Sequence, residues 1–117
     1  MKIVIAGSRS ITDYDVIKKT LKNGIGTITE VVSGAANGAD RLGERWAEEN
    51  NVPLKKFPAD WNKYKKAAGP IRNKQMAEYA DAAVIFWDGK SRGSVNMAEQ
   101  MKKLGKPYYI VKVIDEA

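Results

Sequence analysis

The residues best suited to chemistry in this 117-residue chain are glycine, serine and arginine, which gather in three short segments. These segments are Gly7-Ser8-Arg9, residues 33–40 (SGAANGAD) and residues 88–94 (DGKSRGS), and each follows an apolar run. Glycine lets backbone N–H groups approach a ligand closely, and a loop that opens onto a helix N-terminus adds unpaired N–H groups and the positive end of the helix dipole. Together the segments predict a binding site for phosphate.

The five arginines are distributed differently from the fifteen lysines. Arg9 and Arg92 lie in two of these segments, and Arg41 and Arg72 lie in the first turns of predicted helices, so four arginines are expected at one end of the molecule. Arginine binds phosphate in bidentate fashion, whereas most of the lysines fall in late helix turns or exposed loops. The alternative is that the arginines only pair with nearby carboxylates. The candidates are Asp40, Asp60, Asp81 and Asp88.

Several common chemistries are excluded by composition or spacing. The chain has no Cys and no His, which removes disulfides, Cys/His zinc sites, thiolate nucleophiles and imidazole bases. Gly89-Lys90-Ser91 resembles the end of a Walker A loop, but Val84 stands where the first glycine of that motif belongs. Residues 34–38 lack the GxGxxG spacing, and no acidic residue closes the second strand to bind a ribose. Ordinary NAD binding is therefore disfavoured.

Two tryptophans lie at the ends of predicted strands, near the same end of the molecule. Trp61 and Trp87 could stack on a nucleotide base, or could serve as core or lid aromatics. We favour the second interpretation for Trp87.

The elements that position these residues alternate between strand and helix. Apolar runs predict five strands, at residues 2–6, 28–32, 53–57, 82–87 and 108–113. Capping and terminating residues predict four helices. The first is capped by Thr12 or Asp13 and ends at Asn23-Gly24, and the second runs from Ala39 to about Asn50. The third has Pro70 at its first position, and the fourth contains Met97, Ala98, Met101 and Leu104 and is closed by Gly105. Residues 62–69 are predicted as a loop or a short irregular helical turn.

This alternation predicts a single Rossmann-like, three-layer α/β domain over residues 1–117. Its five-stranded sheet is expected to be mostly parallel in the order 3-2-1-4-5, because crossover helices return the chain to the same end. Ligands of such sheets bind beyond the carboxyl ends of the strands at the switch point, here between the first and fourth strands. The three Gly/Ser/Arg segments are expected to meet there.

Composition sets further expectations about location and partners. The chain is 44% hydrophobic and 29% charged, which is typical of a soluble folded domain. Its net charge of +6 would suit a polyanion, but the lysines are scattered, which disfavours nucleic acid as a partner. Only four consecutive apolar residues follow Lys2, too few for a signal peptide or a membrane span, so we expect a cytoplasmic protein with no membrane partner. A homo-oligomer is left open.

Several motifs along nearly the whole chain resemble the YspA/YpsA-related branch of the SLOG superfamily. They are Gly7-Ser8-Arg9, residues 32–41, Phe57-Pro58-Ala59-Asp60-Trp61, residues 68–73 and residues 86–93. The resemblance implies a Rossmann-like fold that binds nucleotides or nucleotide-derived ligands, often in prokaryotic conflict or signalling systems. It implies a binding pocket more firmly than a reaction.

The wider superfamily includes the LOG phosphoribohydrolases, which release a base from a nucleoside monophosphate with an arginine and a glutamate. Arg72 resembles their arginine site, but Asn96 and Met97 stand where their glutamate is expected. Glycosidic cleavage needs a carboxylate near the anomeric carbon, so the resemblance implies binding without this reaction. A hydrolase using Asp40, Asp60 or Asp88 with a metal, and a nucleic-acid-binding module, are the alternatives.

The sequence therefore predicts a protein that binds a nucleotide-derived small molecule at the carboxyl edge of the sheet and does not turn it over. No catalytic residue and no protein metal site is assigned, although magnesium could accompany the nucleotide. The predicted ligand-binding residues are Gly7, Ser8, Arg9, Ser33, Gly34, Gly38, Ala39, Asp40, Asp60, Trp61, Arg72, Asn73, Asp88, Gly89, Ser91, Arg92, Gly93 and Ser94.

Overall fold

The sheet is the organising element of the computed structural model, which describes residues 1–22 and 26–113. Its strands are β1 (Lys2–Gly7), β2 (Glu30–Ser33), β3 (Leu54–Lys56), β4 (Ala82–Trp87) and β5 (Tyr108–Lys112). All neighbours pair in parallel in the order β3-β2-β1-β4-β5, with Ile3 of β1 opposite Val31 of β2 and Ala82 of β4. This order confirms the predicted fold class and puts the switch point between β1 and β4.

The central strands β1 and β4 are the most deeply buried part of the sheet. Ile3, Val4 and Ile5 are fully buried, as are Val84 and Phe86, because helices cover both faces of the sheet. The two outer strands are more exposed. In β3, which is only three residues long, the two lysines are exposed, and in β5 Tyr109 and Ile110 are half exposed.

The sheet is covered by five α-helices: α1 (Tyr14–Lys22), α2 (Ala39–Glu49), α3 (Trp61–Tyr64), α4 (Ala68–Tyr79) and α5 (Arg92–Lys103). Ile17 of α1 and Ala47 of α2 share one core cluster with Ile3 and Ile5, while Met76 and Met101 of α4 and α5 pack with Val4 on the opposite face. Adjacent strand residues point to opposite faces, so β1 supplies both cores. None of the helices described here is long and apolar enough to cross a membrane.

The chain between β3 and β4 is more helical than the sequence predicted. Residues 62–69 form most of α3, a 3₁₀ turn (Lys65–Ala67) and the first two residues of α4, so five helices replace the predicted four. Helix α4 begins at Ala68, which makes Pro70 its third residue and not its first. Proline is compatible with this position because the first four N–H groups of a helix have no intrahelical acceptor.

The start of α5 also differs from the prediction. Arg92, predicted to lie in a glycine loop, is the first residue of α5, because the Ser91 hydroxyl caps the helix by accepting the Ser94 N–H. Leu104, predicted to belong to this helix, directly follows its last residue, Lys103, and is 46% exposed. At α1 the Asp13 carboxylate accepts the Asp15 N–H, in keeping with the predicted cap. The predicted stop at Asn23-Gly24 lies outside the described residues.

One lysine ties the segment before β5 to the end of α4. The Nζ atom of Lys106 donates hydrogen bonds to the carbonyl oxygens of Ala77, Glu78 and Ala80, at 2.8, 2.9 and 2.8 Å. The last carbonyls of a helix lack intrahelical donors and carry the negative end of its dipole. The ammonium group therefore satisfies three acceptors and also interacts favourably with the dipole.

Replacing Lys106 by methionine is expected to lower the free energy of unfolding by about 2 kcal/mol, because these charge-assisted hydrogen bonds are lost while the aliphatic stem is kept. Urea denaturation would measure the change. Lys103→Met, which removes an exposed lysine from the last turn of α5, is the control and should change stability by less than about 0.5 kcal/mol. Equal effects of the two substitutions would contradict a specific role for Lys106.

Candidate functional site

An open cleft of about 810 Å³ lies where β1 and β4 end, next to the N-terminal parts of α4 and α5. Its walls come from the loop after β1, the start of α2, the region of α3 and α4, and the loop that leads into α5. Most of the predicted site residues line it. They are Gly7, Arg9, Asp40, Trp61, Arg72, Asn73, Asp88, Ser91, Arg92, Gly93 and Ser94.

Four predicted residues instead form the frame beneath the cleft. The Ser8 hydroxyl accepts the Asp88 N–H at 3.0 Å, and the Ser33 hydroxyl donates to Glu44 at 2.7 Å. Ala39 is fully buried, and its N–H donates to the Ser8 carbonyl at 3.3 Å. Gly38, with φ of +78°, packs directly against the backbone of residues 8 and 9. The first N–H group of α2 therefore already donates a hydrogen bond within the protein.

The other three predicted residues lie beside the cleft. The Asp60 carboxylate accepts the Lys63 N–H at 3.0 Å and caps α3. Gly89 makes the turn after β4 with φ of +89°. The Gly34 carbonyl accepts a hydrogen bond from Arg72, and Gly34 borders a smaller chamber that adjoins the cleft.

Arg72 is the most firmly held cation of the cleft. Its Nη1 donates to the Gly34 carbonyl at 2.6 Å, and its Nε donates to Asn73 Oδ1 at 3.0 Å. A side chain on residue 34 would collide with this guanidinium, since an added Cβ would lie 2.5 Å from Nη1. Burial lowers the pKa of Arg72, the Asp40 charge opposes that shift, and the Arg9 charge lowers the pKa further. Arg72 therefore stands within electrostatic range of a second guanidinium.

Asp40 provides a negative charge that acts on Arg72. The side chain is buried, and its Oδ2 accepts the Ala36 N–H at 3.1 Å. Burial raises the pKa of Asp40 to about 6, although the Ala36 hydrogen bond and the Arg72 charge act in the opposite direction. Protonation of Asp40 near pH 6 would remove the carboxylate charge that partly offsets the guanidinium.

Asp88 shapes the loop that leads into α5 and does not bind Arg92. Its Oδ1 accepts the N–H groups of Lys90 and Ser91 at 2.8 and 2.9 Å, and its Oδ2 accepts the Ser10 hydroxyl at 2.9 Å. The two backbone hydrogen bonds are the main reason that the pKa of Asp88 falls to about 2. Asp88 is therefore not the partner of Arg92 that the alternative interpretation of the arginines would require, because its oxygens accept hydrogen bonds from the loop.

The side chains of Arg9 and Arg92 are exposed at the cleft. Within residues 1–22 and 26–113, neither they nor Arg72 form a salt bridge with a carboxylate. Arg41 behaves differently: it pairs with Glu44 at 3.4 Å, one turn along α2, and borders another part of the surface. Three arginines thus face the cleft, and not the four expected at this end of the molecule.

Several residues of the cleft were not predicted. Asn96 is the most informative, because its Oδ1 accepts a hydrogen bond from Asn73 Nδ2 at 3.1 Å, and Asn73 also donates to the Gly93 carbonyl at 3.2 Å. These amide contacts join α4 to α5. The unpredicted lining residues are Ala6, Ser10, Ala36, Lys66, Gly69, Pro70, Met76, Lys90, Asn96 and Met97. Lys66 and Lys90 carried a usable signal, since Lys90 lies within the segment 88–94 and Lys66 lies two residues before the segment 68–73.

The two tryptophans have different environments. Trp61 is 49% exposed and borders both the cleft and the smaller chamber. Trp87 is half buried, donates its Nε1–H to the Ser91 carbonyl at 3.1 Å and does not line the cleft. Trp61 therefore offers a ring to a ligand, whereas Trp87 supports the loop before α5.

The described residues contain no group of three or more His, Cys, Asp or Glu side chains arranged to hold a metal ion. The two carboxylates of the cleft, Asp40 and Asp88, both accept backbone N–H groups, and at Asp88 hydrogen bonds engage both oxygens.

Comparisons with known proteins agree with this architecture. The model of the YspA, cpYpsA-related SLOG family matches residues 1–64. The Gene 61 protein of Mycobacterium phage D29 is 32% identical over 91% of this chain and 92% of that protein. The X-ray structure of DNA processing protein A (DprA) from Streptococcus pneumoniae superposes on this chain with a TM-score of 0.76 and 18% sequence identity. The superposition covers 93% of this chain and 49% of the DprA chain, and the likeness concerns the fold alone. The chain belongs to the YspA, cpYpsA-related SLOG family.

Proposed function

We propose that this protein binds a nucleotide or a nucleotide-derived ligand in the cleft, with the phosphates held by Arg9, Arg72 and Arg92. The observation that carries the proposal is that three guanidinium groups face one cleft without a salt-bridged carboxylate partner in the described chain. Like charges brought together in this way repel one another, and a bound polyanion relieves that repulsion. Family membership and the Rossmann-like fold support the same class of ligand.

The first turn of α5 supports a phosphate at the Arg92 end of the cleft. The Lys90 and Ser91 N–H groups are taken by Asp88 and the Ser94 N–H by Ser91, whereas those of Arg92 and Gly93 have no acceptor among the described residues. Free N–H groups at the start of a helix bind anions. A Cβ on Gly93 would meet only the Ser91 hydroxyl, at 3.9 Å, so a phosphate has room to approach.

The chemistry of the cleft favours binding without cleavage of the glycosidic bond. Asn96 lies at the cleft wall and is hydrogen bonded to Asn73, and an amide cannot stabilise an oxocarbenium ion or activate water as a carboxylate does. Glu99, a carboxylate one turn further along α5, borders an outer apolar pocket and not the cleft. Asp88, with a pKa of about 2, is a weak base and is committed to its loop.

Purified protein incubated with nucleoside monophosphates and with ADP-ribose is therefore expected to return both unchanged, with or without magnesium. Calorimetry would first establish which compound binds, and chromatography would then measure free base. Mass spectrometry of small molecules released by denaturing the purified protein would identify the natural ligand. Release of base in proportion to protein, lost in Arg72→Ala, would show that the protein is a hydrolase instead.

Affinity for the bound anion is expected to rise severalfold between about pH 7.5 and about pH 5. Protonation of Asp40, whose pKa is raised to about 6 by burial, removes a negative charge beside Arg72 and makes the cleft more positive. ADP-ribose is a suitable probe because its phosphates are diesterified and do not titrate in this range. Calorimetry at several pH values would measure the effect, and Asp40→Asn should give a nearly flat profile. If the affinity of Asp40→Asn changed with pH as much as that of the wild-type protein, another group would be responsible for the pH dependence.

Nucleic acid is the second candidate ligand. The observations that favour it are the net charge of +6 and the fold shared with a protein named for DNA processing. A steep dependence of oligonucleotide affinity on salt, greater than that of a mononucleotide, would support it, because each phosphate contact releases counterions.

A further inference from the structure

A second, smaller chamber of about 240 Å³ adjoins the cleft. The two share Arg9, Ala36, Trp61 and Arg72, so the two guanidinium groups and the indole ring stand at their boundary. The remaining walls of the chamber come from residues 34–37, after β2, and from Pro58 and Ala59, after β3. An anion bound by Arg9 and Arg72 would therefore have open space on two sides.

The walls of the small chamber are held in a fixed shape. The Ala35 N–H donates to the Ser33 hydroxyl at 3.1 Å, and the Ala36 N–H donates to Asp40. Ala35 has φ of +59°, a left-handed conformation that costs a residue with a Cβ about 1–2 kcal/mol. Non-glycine residues held in this conformation are concentrated at functional sites, where the surrounding structure enforces them.

The chamber also has a defined chemical character. Among the described residues no carboxylate lines it, and its polar groups are the arginines at the boundary, the Asn37 amide and backbone groups. The Asn37 side chain is exposed and has no hydrogen-bond partner within residues 1–22 and 26–113. An amide can both donate to and accept from hydroxyl groups. A hydroxylated group such as a sugar fits this polar lining, and the chamber has room for it.

We infer that the ligand is a nucleoside diphosphate whose terminal phosphate is esterified to a second, smaller hydroxylated group, as in the nucleotide sugars. The nucleoside would occupy the large cleft, the phosphates would lie between Arg9 and Arg72, and the second group would enter the small chamber. This inference rests on the proposed function, because it takes the arginines as the phosphate site. A plain mononucleotide would leave the small chamber unfilled.

The inference is tested with two matched pairs of compounds, ADP with ADP-ribose and UDP with UDP-glucose. Two pairs are used because the base of the ligand is unidentified. The esterified compound carries less negative charge at neutral pH, so electrostatics alone would favour the plain diphosphate. We expect the esterified member of at least one pair to bind about tenfold more tightly in calorimetry, a gain that must come from its extra group. Equal or weaker binding of the esterified member in both pairs would overturn the inference.

Asn37→Trp should fill the small chamber without touching the large cleft, since Asn37 lines only the former. We expect this variant to bind the two members of the pair equally and to keep the wild-type affinity for the plain diphosphate. Asn62→Trp, at an exposed position of α3 that borders neither chamber, is the control and should retain the preference. An equal loss for both members in Asn37→Trp would contradict the two-chamber arrangement. If none of the four compounds bound the wild-type protein, the proposed function itself would fail.

Discussion

Replacing Arg92 by alanine is expected to weaken nucleotide binding about ten- to hundredfold while leaving the fold intact. Removal of one charge-assisted contact to phosphate costs roughly 1.5–3 kcal/mol, which corresponds to this loss of affinity. Arg92 is exposed at the first position of α5, and no hydrogen bond or salt bridge of its side chain is found within the described residues. Little native structure therefore depends on it.

The matched control is Lys102→Ala, which removes the same charge from the last turn of the same helix. Lys102 borders the outer apolar pocket and not the cleft, so its loss should leave affinity nearly unchanged. Calorimetric titration of both variants with the same nucleotide measures the difference. If Arg92→Ala bound as well as Lys102→Ala, the assignment of Arg92 to the phosphate site would be wrong.

Gly38→Ala is expected to lower the free energy of unfolding by about 2–5 kcal/mol. A Cβ at this position would lie 2.6 Å from the Arg9 Cα and closer still to the Ser8 carbonyl oxygen, and the φ of +78° is unfavourable for alanine. With a ψ of −129°, Gly38 lies outside the left-handed helical region, so the conformational cost for alanine is at least the roughly 1–2 kcal/mol of left-handed backbone. Forcing backbone apart in a packed region costs about 1–3 kcal/mol more. Denaturant titration would measure the loss of stability.

Gly105→Ala is the comparison for this effect, at a glycine with a positive φ and open space around it. Gly105 also has a positive φ, +67°, but an added Cβ there would meet nothing within 4 Å. Only the conformational cost of about 1–2 kcal/mol is expected. Equal destabilisation by the two substitutions would show that the contact between Gly38 and the loop after β1 contributes little. A larger effect at Gly38 would show that its close packing against the loop after β1 stabilises the fold.

The sheet order was predictable from the sequence because it depends on a repeating pattern. The apolar run at residues 82–87 coincides with β4 as observed, and the alternation with helices then determines the order of the strands and the switch point. Arg9, Arg72 and Arg92 follow from that order, since each lies just beyond a strand end or at a helix start on the same edge.

Other features of the cleft depend on contacts between residues distant in sequence. The hydrogen bond from Arg72 to Gly34 spans 38 residues, and the side chain of Asn73 reaches Asn96 in a different helix. Nothing local distinguishes Ser33, which points into the protein toward Glu44, from a serine that faces ligand. The first residue of α5 also could not be read from the sequence, because it is set by the Ser91 cap. Residues 88–94 contain two serines, and either one could cap a helix.

The hydrogen bonds of Lys106 also have a dynamic consequence. An edge strand with half-exposed side chains, such as β5, would ordinarily be among the first elements to open locally. Lys106, two residues before β5, is bound to the end of α4, so β5 cannot separate from the sheet at its N-terminal end without releasing three carbonyl groups. The amides of β5 and of the last turn of α4 should therefore exchange with solvent as one cooperative unit, more slowly than an unanchored edge would.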